Sequence, residues 1–555
     1  MSFLELLRKF KRQARQIFSD PTLRIWLWKK FFRQTSDHPK FRPNWPSYLY
    51  GKLPLKREVP VLSYKEVVFP YPQTSISLDL AGKQVVIEPG AEKTIFDRVF
   101  DNTEHLLALH RFAWVDDKSD PAWVGLIWRT WINKYTELSE AWPWHPYTAA
   151  ERVVNMLQFF KNSGVPSPIE KTKYTLALHA QAIVEKLEFN GDHNTSNHLA
   201  NNGRGLYFLG LECQMPVTAN LGSSILIEEA KRIFLPSGVL REGSSHYHLL
   251  LCKNYYQVYL ISVAFKRSEA SVFKEVVKKA KDVASALMLP GGFPLIGDIS
   301  PDVNPEKLKL VMRLNYGNMM PGLETDGWLK HSAEGWSGLW HATPQGWSHT
   351  PGHGHEDLGS FELHYNDEAV LIDPGRGIYD DSRLSRFYTL SDFHNCITIS
   401  GLKSYPKNRP YYSSDFKLKL GYPLPKLMVS GGRVTLKHGG YSRYKGVGNI
   451  ERQWEFNIKK MILFDQIEGQ RICNVCRTFI TPFPVLLVDN SILIKGLKNQ
   501  FILRWSNLKT EAIIKPIKRW VAYGTAKPAF LVCLISKEKL PMIENVSLEV
   551  HPHAS

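Results

Sequence analysis

The chain has 555 residues, enough for two or three domains with large hydrophobic cores. Its hydrophobic fraction of 43% and charged fraction of 22% are those of an ordinary soluble globular protein. A net charge of +17 indicates an acidic partner, which is a polyanionic glycan, a nucleic acid or an anionic membrane surface. Residues 1–42 hold +8 of this charge, and the +9 spread over the rest forms no compact basic motif. We therefore predict no nucleic-acid partner.

The N-terminal segment, residues 1–18, is predicted to be a basic amphipathic helix. Phe3, Leu7 and Phe10 recur at helical spacing, with lysine and arginine between them. Such a helix suits peripheral contact with an anionic membrane, and it equally suits docking on the chain's own core. Charges interrupt it too often for a signal peptide, and no apolar run is long enough for a transmembrane helix. The sequence alone thus indicates a cytoplasmic or membrane-peripheral protein.

The remaining periodicity predicts three regions and an α+β multidomain fold. Residues 1–95 combine the basic helix with an irregular, partly β leader. Residues 96–320 are predicted to be a toroid of helical hairpins, since apolar residues recur at helical spacing between short proline and glycine breaks. The period becomes two in residues 321–555, which predicts an antiparallel β-sandwich. The clearest helical patterns are residues 149–160, 174–187, 224–234, 246–265 and 272–287.

The six cysteines are scattered and do not form a disulfide framework for a chain of this size. Cys473 and Cys476 form a lone CxxC without a second pair. We interpret them as two ordinary strand residues rather than as a zinc or redox motif.

A first polar cluster, residues 194–203, precedes the apolar run 206–209 and includes Asn197 and His198. Asparagine and protonated histidine both donate hydrogen bonds, so the cluster suits a carboxylate or another oxygen-rich ligand. The alternative is a helix N-terminus whose asparagine side chains cap backbone amides.

A second cluster, residues 241–248, opens another long apolar helix and contains Tyr247 between His246 and His248. Positive charge on these neighbours would lower the phenol pKa and make Tyr247 a proton donor. The alternative is serine capping with the aromatic ring packed on a core face.

A third cluster joins residues 352–357 (GHGHED) to Asp373 and His394. Two imidazoles and a carboxylate suit Zn²⁺, with water or a fourth ligand completing the shell. If the segment is extended, His353 points to the same side as His355, although it need not be a ligand. The alternative is a set of surface-loop histidines.

Taken together, the clusters resemble the heparinase II/III-like polysaccharide lyases of the alginate lyase and heparinase superfamily. The resemblance spans roughly residues 100 to 400. The motifs that carry it occur in the family's order: Asn197-His198, Glu242-Gly243-Ser244 with Tyr247-His248, residues 352–357, Asp373-Pro374-Gly375 and His394-Asn395.

The resemblance implies an (α/α) toroid, a β-sandwich and β-elimination at a uronic acid of an acidic polysaccharide. Asn197 and His198 would neutralise the uronate carboxylate, which makes the C5 proton acidic enough to remove. Tyr247 and His353 would serve as acid and base, in an order that depends on the sugar faces involved. By family, a periplasmic location is also expected.

The resemblance further implies a structural zinc ion held by His355, Asp373 and His394. It would fix the His353 loop, since elimination needs no activated water. The chain departs from some relatives, which have a glutamate close after the Asn-His pair where this chain has Asn201 and Asn202.

Two other functions remain open on sequence. One is a zinc-dependent glycan hydrolase with His353 as base, and the other is a non-catalytic protein that binds or assembles acidic polysaccharide. The sequence predicts no oligomeric state, no particular uronic acid or linkage, and no preference for endo or exo action.

Overall fold

The computed structural model describes residues 45–50, 58–189, 195–347, 352–380, 382–405 and 422–552, with a few single positions before residue 33. Apart from Ala14, the predicted basic helix at residues 1–18 lies outside the described residues. Within the described ranges, none of the helices is both long and apolar enough to cross a membrane.

Helices occupy the region of the predicted toroid. They are α1 (Thr103–Arg111), α2 (Pro121–Lys134), α3 (Pro146–Ser163), α4 (Ile169–Glu185), α5 (His198–Glu212), α6 (Pro216–Ile233), α7 (Ser245–Ala264), α8 (Ala270–Leu287) and α9 (Pro305–Met312). A short helix, α10 (Arg383–Phe387), lies later in the chain.

Local chemistry explains where these helices begin and end. The Asp120 side chain accepts a hydrogen bond from the Ala122 amide at the start of α2, and Pro121 occupies the first helical position. Gly164 has φ 88° and ends α3, as its position after the periodic run predicts. The helix predicted from residue 224 begins earlier, at Pro216, because a proline is well accommodated in the first turn of a helix.

The helices pack as antiparallel hairpins around a core rich in tryptophan. The approach of α5 to α6 is close enough that a Cβ at Gly210 would lie 2.2 Å from the Ala219 backbone nitrogen. Trp128 and Trp131 stack with centroids 5.8 Å apart and are fully buried. The predicted helical toroid is confirmed.

Strands follow from Trp328 onward and pair antiparallel. They are β5 (Trp328–Ala333), β6 (Trp336–His341), β7 (Ser360–Tyr365), β8 (Glu368–Leu371), β9 (Ile397–Ile399), β10 (Lys426–Ser430), β11 (Arg433–His438), β12 (Val447–Asn457), β13 (Lys460–Gly469), β14 (Ile472–Thr481), β15 (Val485–Val488), β16 (Ser491–Lys495), β17 (Asn499–Trp505), β18 (Glu511–Ala522), β19 (Thr525–Lys539) and β20 (Met542–Pro552). Before and within the toroid lie β1 (Glu66–Val67), β2 (Ile76–Leu80), β3 (Lys83–Ile87) and β4 (Val165–Pro166).

The strands after the toroid form three sheets that share one core. An eight-stranded sheet has the order β10-β11-β12-β13-β20-β17-β16-β15, and the four-stranded sheets are β5-β6-β7-β8 and β18-β19-β14-β9. Buried side chains from all three meet in one cluster that includes Trp340, Trp454 and Phe479. The predicted antiparallel β-sandwich is therefore confirmed.

One cysteine differs from its predicted role. Cys476 on β14 forms a disulfide with Cys533 on the adjacent strand β19, so it is not an ordinary strand residue. Cys473 is free and buried, as an unremarkable strand residue would be. Sequence spacing missed the pairing because 57 residues separate the two cysteines.

Candidate active site

The site lies at the seam between the toroid and the sandwich, where three loops are joined by backbone hydrogen bonds. The His353 amide donates to the Glu242 carbonyl, and the Asp298 amide donates to the His353 carbonyl, each at 2.9 Å. The two loops approach closely, because a Cβ at Gly243 would lie 3.0 Å from the Gly354 Cα. Gly243 also has φ 72°, a conformation that favours glycine. These two glycines let the loops meet.

His353 is held from both sides at this seam. Its Nδ1 donates to Asp298 Oδ2 at 3.1 Å, and its ring stacks on Tyr247 with centroids 3.4 Å apart and planes 10° from parallel. Burial raises the pKa of Asp298, but its hydrogen bonds with His353 and His355 lower that pKa well below the usual range. An ionised carboxylate that accepts from Nδ1 leaves Nε2 with a lone pair. In the neutral ring, Nε2 is thereby the hydrogen-bond acceptor.

Asn197 contacts the same group of residues. Its backbone nitrogen and its Nδ2 donate to the two Glu242 oxygens at 2.6 and 2.8 Å, and Nδ2 lies 3.4 Å from His353 Nε2. Asn197 occupies the N-cap position of α5, yet its side chain caps no backbone amide. The alternative of simple helix capping is therefore wrong for Asn197.

The carboxylate of Glu242 is fully buried and lies 3.6 Å from His353 Nε2. Sequence reasoning named Glu242 within a motif but gave it no role. The position of Glu242, directly before Gly243-Ser244 at the start of an apolar helix, was the only indication in the sequence that this carboxylate could have a role.

His198 lies beside Asn197 and turns one ring edge toward solvent. Its Nδ1 donates to Glu188 Oε1 at 2.7 Å, and its side chain is 41% exposed. Burial lowers the pKa of His198, but the charge of Glu188 and this hydrogen bond raise it above the usual value overall. The Asn202 side chain donates to the other Glu188 oxygen at 3.0 Å. Glu188 thus places a carboxylate beside His198, although this chain has asparagines where some relatives have a glutamate after the Asn-His pair.

Tyr247 differs from its prediction in electrostatics. Burial raises the pKa of the Tyr247 phenol well above its usual value, whereas a lowered pKa was predicted. Its hydroxyl lies 3.2 Å from the Tyr379 hydroxyl, which itself donates to the Ile299 carbonyl at 2.7 Å. The Tyr379 oxygen therefore accepts from Tyr247, and Tyr247 is a protonated phenol.

The neighbouring histidines do not supply the predicted positive charge. Burial lowers the pKa of His246 to about 3 and that of His248 to about 4, so both are neutral. His246 Nδ1 accepts from the Ser300 amide, and His248 Nε2 donates to the Ala280 carbonyl. The prediction of a pKa lowered by adjacent charge is wrong because both rings are enclosed in the protein. The predicted serine cap is present, since Ser244 Oγ accepts from the Tyr247 amide.

The predicted zinc ligands lie behind the His353 loop. His394 Nδ1 lies 2.9 Å from Asp373 Oδ2, and the His355 and His394 ring centroids are 5.1 Å apart. Both histidines are buried, at 4% and 0% exposure, so they are not surface-loop residues. As placed, however, no three His, Cys, Asp or Glu residues in the described part of the chain form a group that could hold a metal ion.

The donor chemistry of these three residues nevertheless fits zinc. His355 Nε2 donates to Asp298 Oδ1 at 2.9 Å, and His394 Nε2 donates to the Tyr388 carbonyl at 3.0 Å. Zinc-bound imidazoles commonly donate their second nitrogen to such acceptors. Two Nδ1 atoms and the Asp373 carboxylate then remain as ligands. The buried His355 Nδ1 has no hydrogen-bond partner among the described residues.

A helical toroid, a β-sandwich and a seam lined by amide, imidazole and phenol groups define the architecture of a polysaccharide lyase. Family comparison gives the same answer. The model described as "Heparinase II/III N-terminus" matches residues 107–319, and "Heparinase II/III-like, C-terminal" matches residues 317–474. The chain belongs to the heparinase II/III-like family, whose members are polysaccharide lyases.

Solved structures share this fold at low sequence identity. A crystal structure of heparinase III is 16% identical, with a TM-score of 0.62, over 82% of this chain and 79% of that chain. Heparan sulfate lyase HepC from Pedobacter heparinus is 15% identical, with a TM-score of 0.56, over 85% and 80%. No curated protein sequence matches the chain.

Proposed function

We propose that the protein cleaves an acidic polysaccharide by β-elimination at a uronic acid. The observation that carries this proposal is the seam itself, where His353 contacts both Asn197 and Tyr247. The +9 carried outside residues 1–42 would attract a polyuronate. Similarity of fold to heparan sulfate lyase HepC makes heparan sulfate the first polymer to test.

Asn197 and the protonated His198 serve to neutralise the uronate carboxylate. The proton on C5, next to this carboxylate, is a poor acid while the carboxylate bears its full charge. Donors aimed at the charge that develops on the carboxylate lower the barrier to removing that proton. The partly exposed edge of His198, held cationic by Glu188, suits this role.

His353 is the base and Tyr247 the acid in this proposal. His353 Nε2 takes the C5 proton, and the C–H electron pair forms the C4=C5 double bond. The C4–O bond breaks, and the Tyr247 hydroxyl protonates the departing oxygen. The raised pKa of Tyr247 supports its role as a proton donor. Because the two rings stack at 3.4 Å, acid and base act from one side, which suits a proton and leaving group on the same sugar face.

We also propose a structural zinc ion held by His355, Asp373 and His394. A bound zinc would supply a fixed positive charge that anchors these residues behind the His353 loop. His355 and His353 donate to the two oxygens of one carboxylate, Asp298. The ligand set and the base are thereby connected through Asp298.

The test is ultraviolet absorbance from the 4,5-unsaturated product on heparan sulfate, its unsulfated precursor, hyaluronan, chondroitin sulfate and alginate. We expect rising absorbance that is lost in Tyr247→Phe. Tyr255→Phe is the matched control, since Tyr255 lies on the same helix and its buried hydroxyl donates to the Leu226 carbonyl. Chain cleavage without absorbance would show hydrolysis instead. Binding without cleavage would show a non-catalytic protein.

A further inference from the structure

A partly exposed tryptophan lies close to the candidate active site. Trp142 is 47% exposed, and apart from Trp28 no other tryptophan in the described part of the chain is more than about a third exposed. Large aromatic side chains are usually buried, because burying one removes roughly 150–250 Å² of mostly apolar surface from water. An exposed ring beside a cleft is therefore a candidate contact for a ligand.

The turn that presents Trp142 is rigid. Residues Trp142–Trp144 form a single 3-10 turn in which the Trp144 amide donates to the Ala141 carbonyl at 3.0 Å. Trp144 is 1% exposed and packs edge-on against Trp131 at 5.2 Å. The buried Arg152 guanidinium donates to the Pro143 carbonyl at 2.7 Å. The backbone is thus anchored from inside while the Trp142 ring stays outside.

Trp142 is connected to the site through one carboxylate. Its ring lies 5.3 Å from the His145 ring at an interplanar angle of 43°. His145 Nε2 is 3.7 Å from Glu188 Oε1, the oxygen that also accepts from His198 Nδ1. Trp142 is therefore connected to His198 through successive contacts with His145 and Glu188. The partly exposed Trp142 ring stands at the end of this series, beyond the residue proposed to bind the uronate.

We propose that Trp142 and His145 form a second sugar subsite, for the ring adjacent to the uronate at His198. The C–H groups on the apolar face of a pyranose would lie on the negative face of the indole. Burial lowers the pKa of His145, so it is a neutral donor and acceptor for sugar hydroxyls. This proposal rests on the proposed lyase function, and it adds a second place at which the protein contacts the polymer.

The experiment measures binding and turnover separately. Dissociation constants are measured in the Tyr247→Phe background for Trp142→Ala and Trp142→Phe, with the five polymers named above. We expect Trp142→Ala to raise the dissociation constant about tenfold, because one contact between an aromatic ring and a sugar is lost. Trp142→Phe should retain most of the wild-type affinity, because phenylalanine keeps an aromatic face. Tyr174→Ala is the control, because Tyr174 is also an exposed aromatic of the toroid, at 55%, on α4.

Turnover gives a second readout in the otherwise wild-type protein. Trp142→Ala should raise KM on long oligosaccharides and leave kcat unchanged, and its effect should vanish on the shortest fragment that is still cleaved. Wild-type affinity in Trp142→Ala would overturn the subsite while leaving the lyase function intact. Equal weakening in Tyr174→Ala would also overturn it. If the protein binds none of the polymers, both the subsite and the proposed function fail.

Discussion

The Glu242 carboxylate accepts two hydrogen bonds from Asn197, one from its backbone nitrogen at 2.6 Å and one from its Nδ2 at 2.8 Å. The same carboxylate lies 3.6 Å from His353 Nε2. Glu242 therefore fixes the position of the proposed neutralising amide relative to the proposed base. It contacts both groups from a fully buried position.

Replacing Glu242 by glutamine should reduce kcat by about a hundredfold or more, because a small misplacement of reacting groups has that effect. The NH₂ group of the new glutamine would face either the backbone nitrogen or the Nδ2 of Asn197. Two donors would then oppose each other, and one of the two hydrogen bonds from Asn197 would be lost. Initial rates of unsaturated product formation measure the change. Glu228→Gln, which alters only an exposed pair with Lys231, is the control. A wild-type kcat in a folded Glu242→Gln protein would contradict this positioning role.

Glu188→Gln should shift the pH dependence of KM to lower pH. With Glu188 present, the His198 pKa is raised above its usual value, so KM stays low until pH rises through this raised pKa. Without the carboxylate, burial dominates and His198 loses its proton earlier. The raised His198 pKa also stabilises the fold. This contribution is fully present below the pKa that His198 has in the unfolded chain, and it is lost as pH rises through the pKa of His198 in the folded protein. An unchanged profile, as expected for the exposed control Glu185→Gln, would refute the assignment.

Removing zinc should lower the melting temperature and inactivate the protein through the His353 loop. Metal that binds only the folded state stabilises it by about 2.7 kcal/mol at a free concentration of about one hundred times Kd. Metal analysis of the purified protein, followed by melting with and without a chelator, tests the effect. His394→Ala should melt at the chelated temperature and gain nothing from added zinc. A metal-free wild-type protein whose melting temperature is unaffected by zinc would rule out the site.

Asp465→Ala should destabilise the sandwich by about 3–5 kcal/mol. Asp465 is fully buried and accepts from Arg452 Nε at 2.8 Å and from Arg477 Nε at 2.7 Å. Its loss leaves two buried guanidinium groups without their carboxylate. Denaturant unfolding measures the change, with Asp367→Ala as control. The Asp367 pair with Lys498 is exposed, so its loss is expected to change the free energy of unfolding little.

Sequence periodicity predicted the two domains well, because helix and strand repeats are local properties. Short polar motifs, rather than periodicity, indicated Asn197, Tyr247 and His353. The supporting carboxylates could not be assigned in this way. Glu242 meets Asn197 across 45 residues, and Asp298 meets His353 across 55, so only the tertiary fold pairs them.

The pKa of Tyr247 shows the same limit. Adjacent histidines in sequence predicted a lowered pKa, whereas enclosure by the fold raises it. Burial of a side chain depends on segments that are distant in sequence. Zinc binding and the proposed catalytic roles remain predictions, which metal analysis and product absorbance test.

The Gly243–Gly354 contact has an evolutionary consequence. A larger side chain on either loop would force the other loop to shift beside the proposed acid and base, so a change in one seam loop calls for a matching change in the other. The two domains should therefore be inherited as a pair. A toroid from one relative joined to a sandwich from another should fold and yet be inactive, until the loops on both sides are exchanged together.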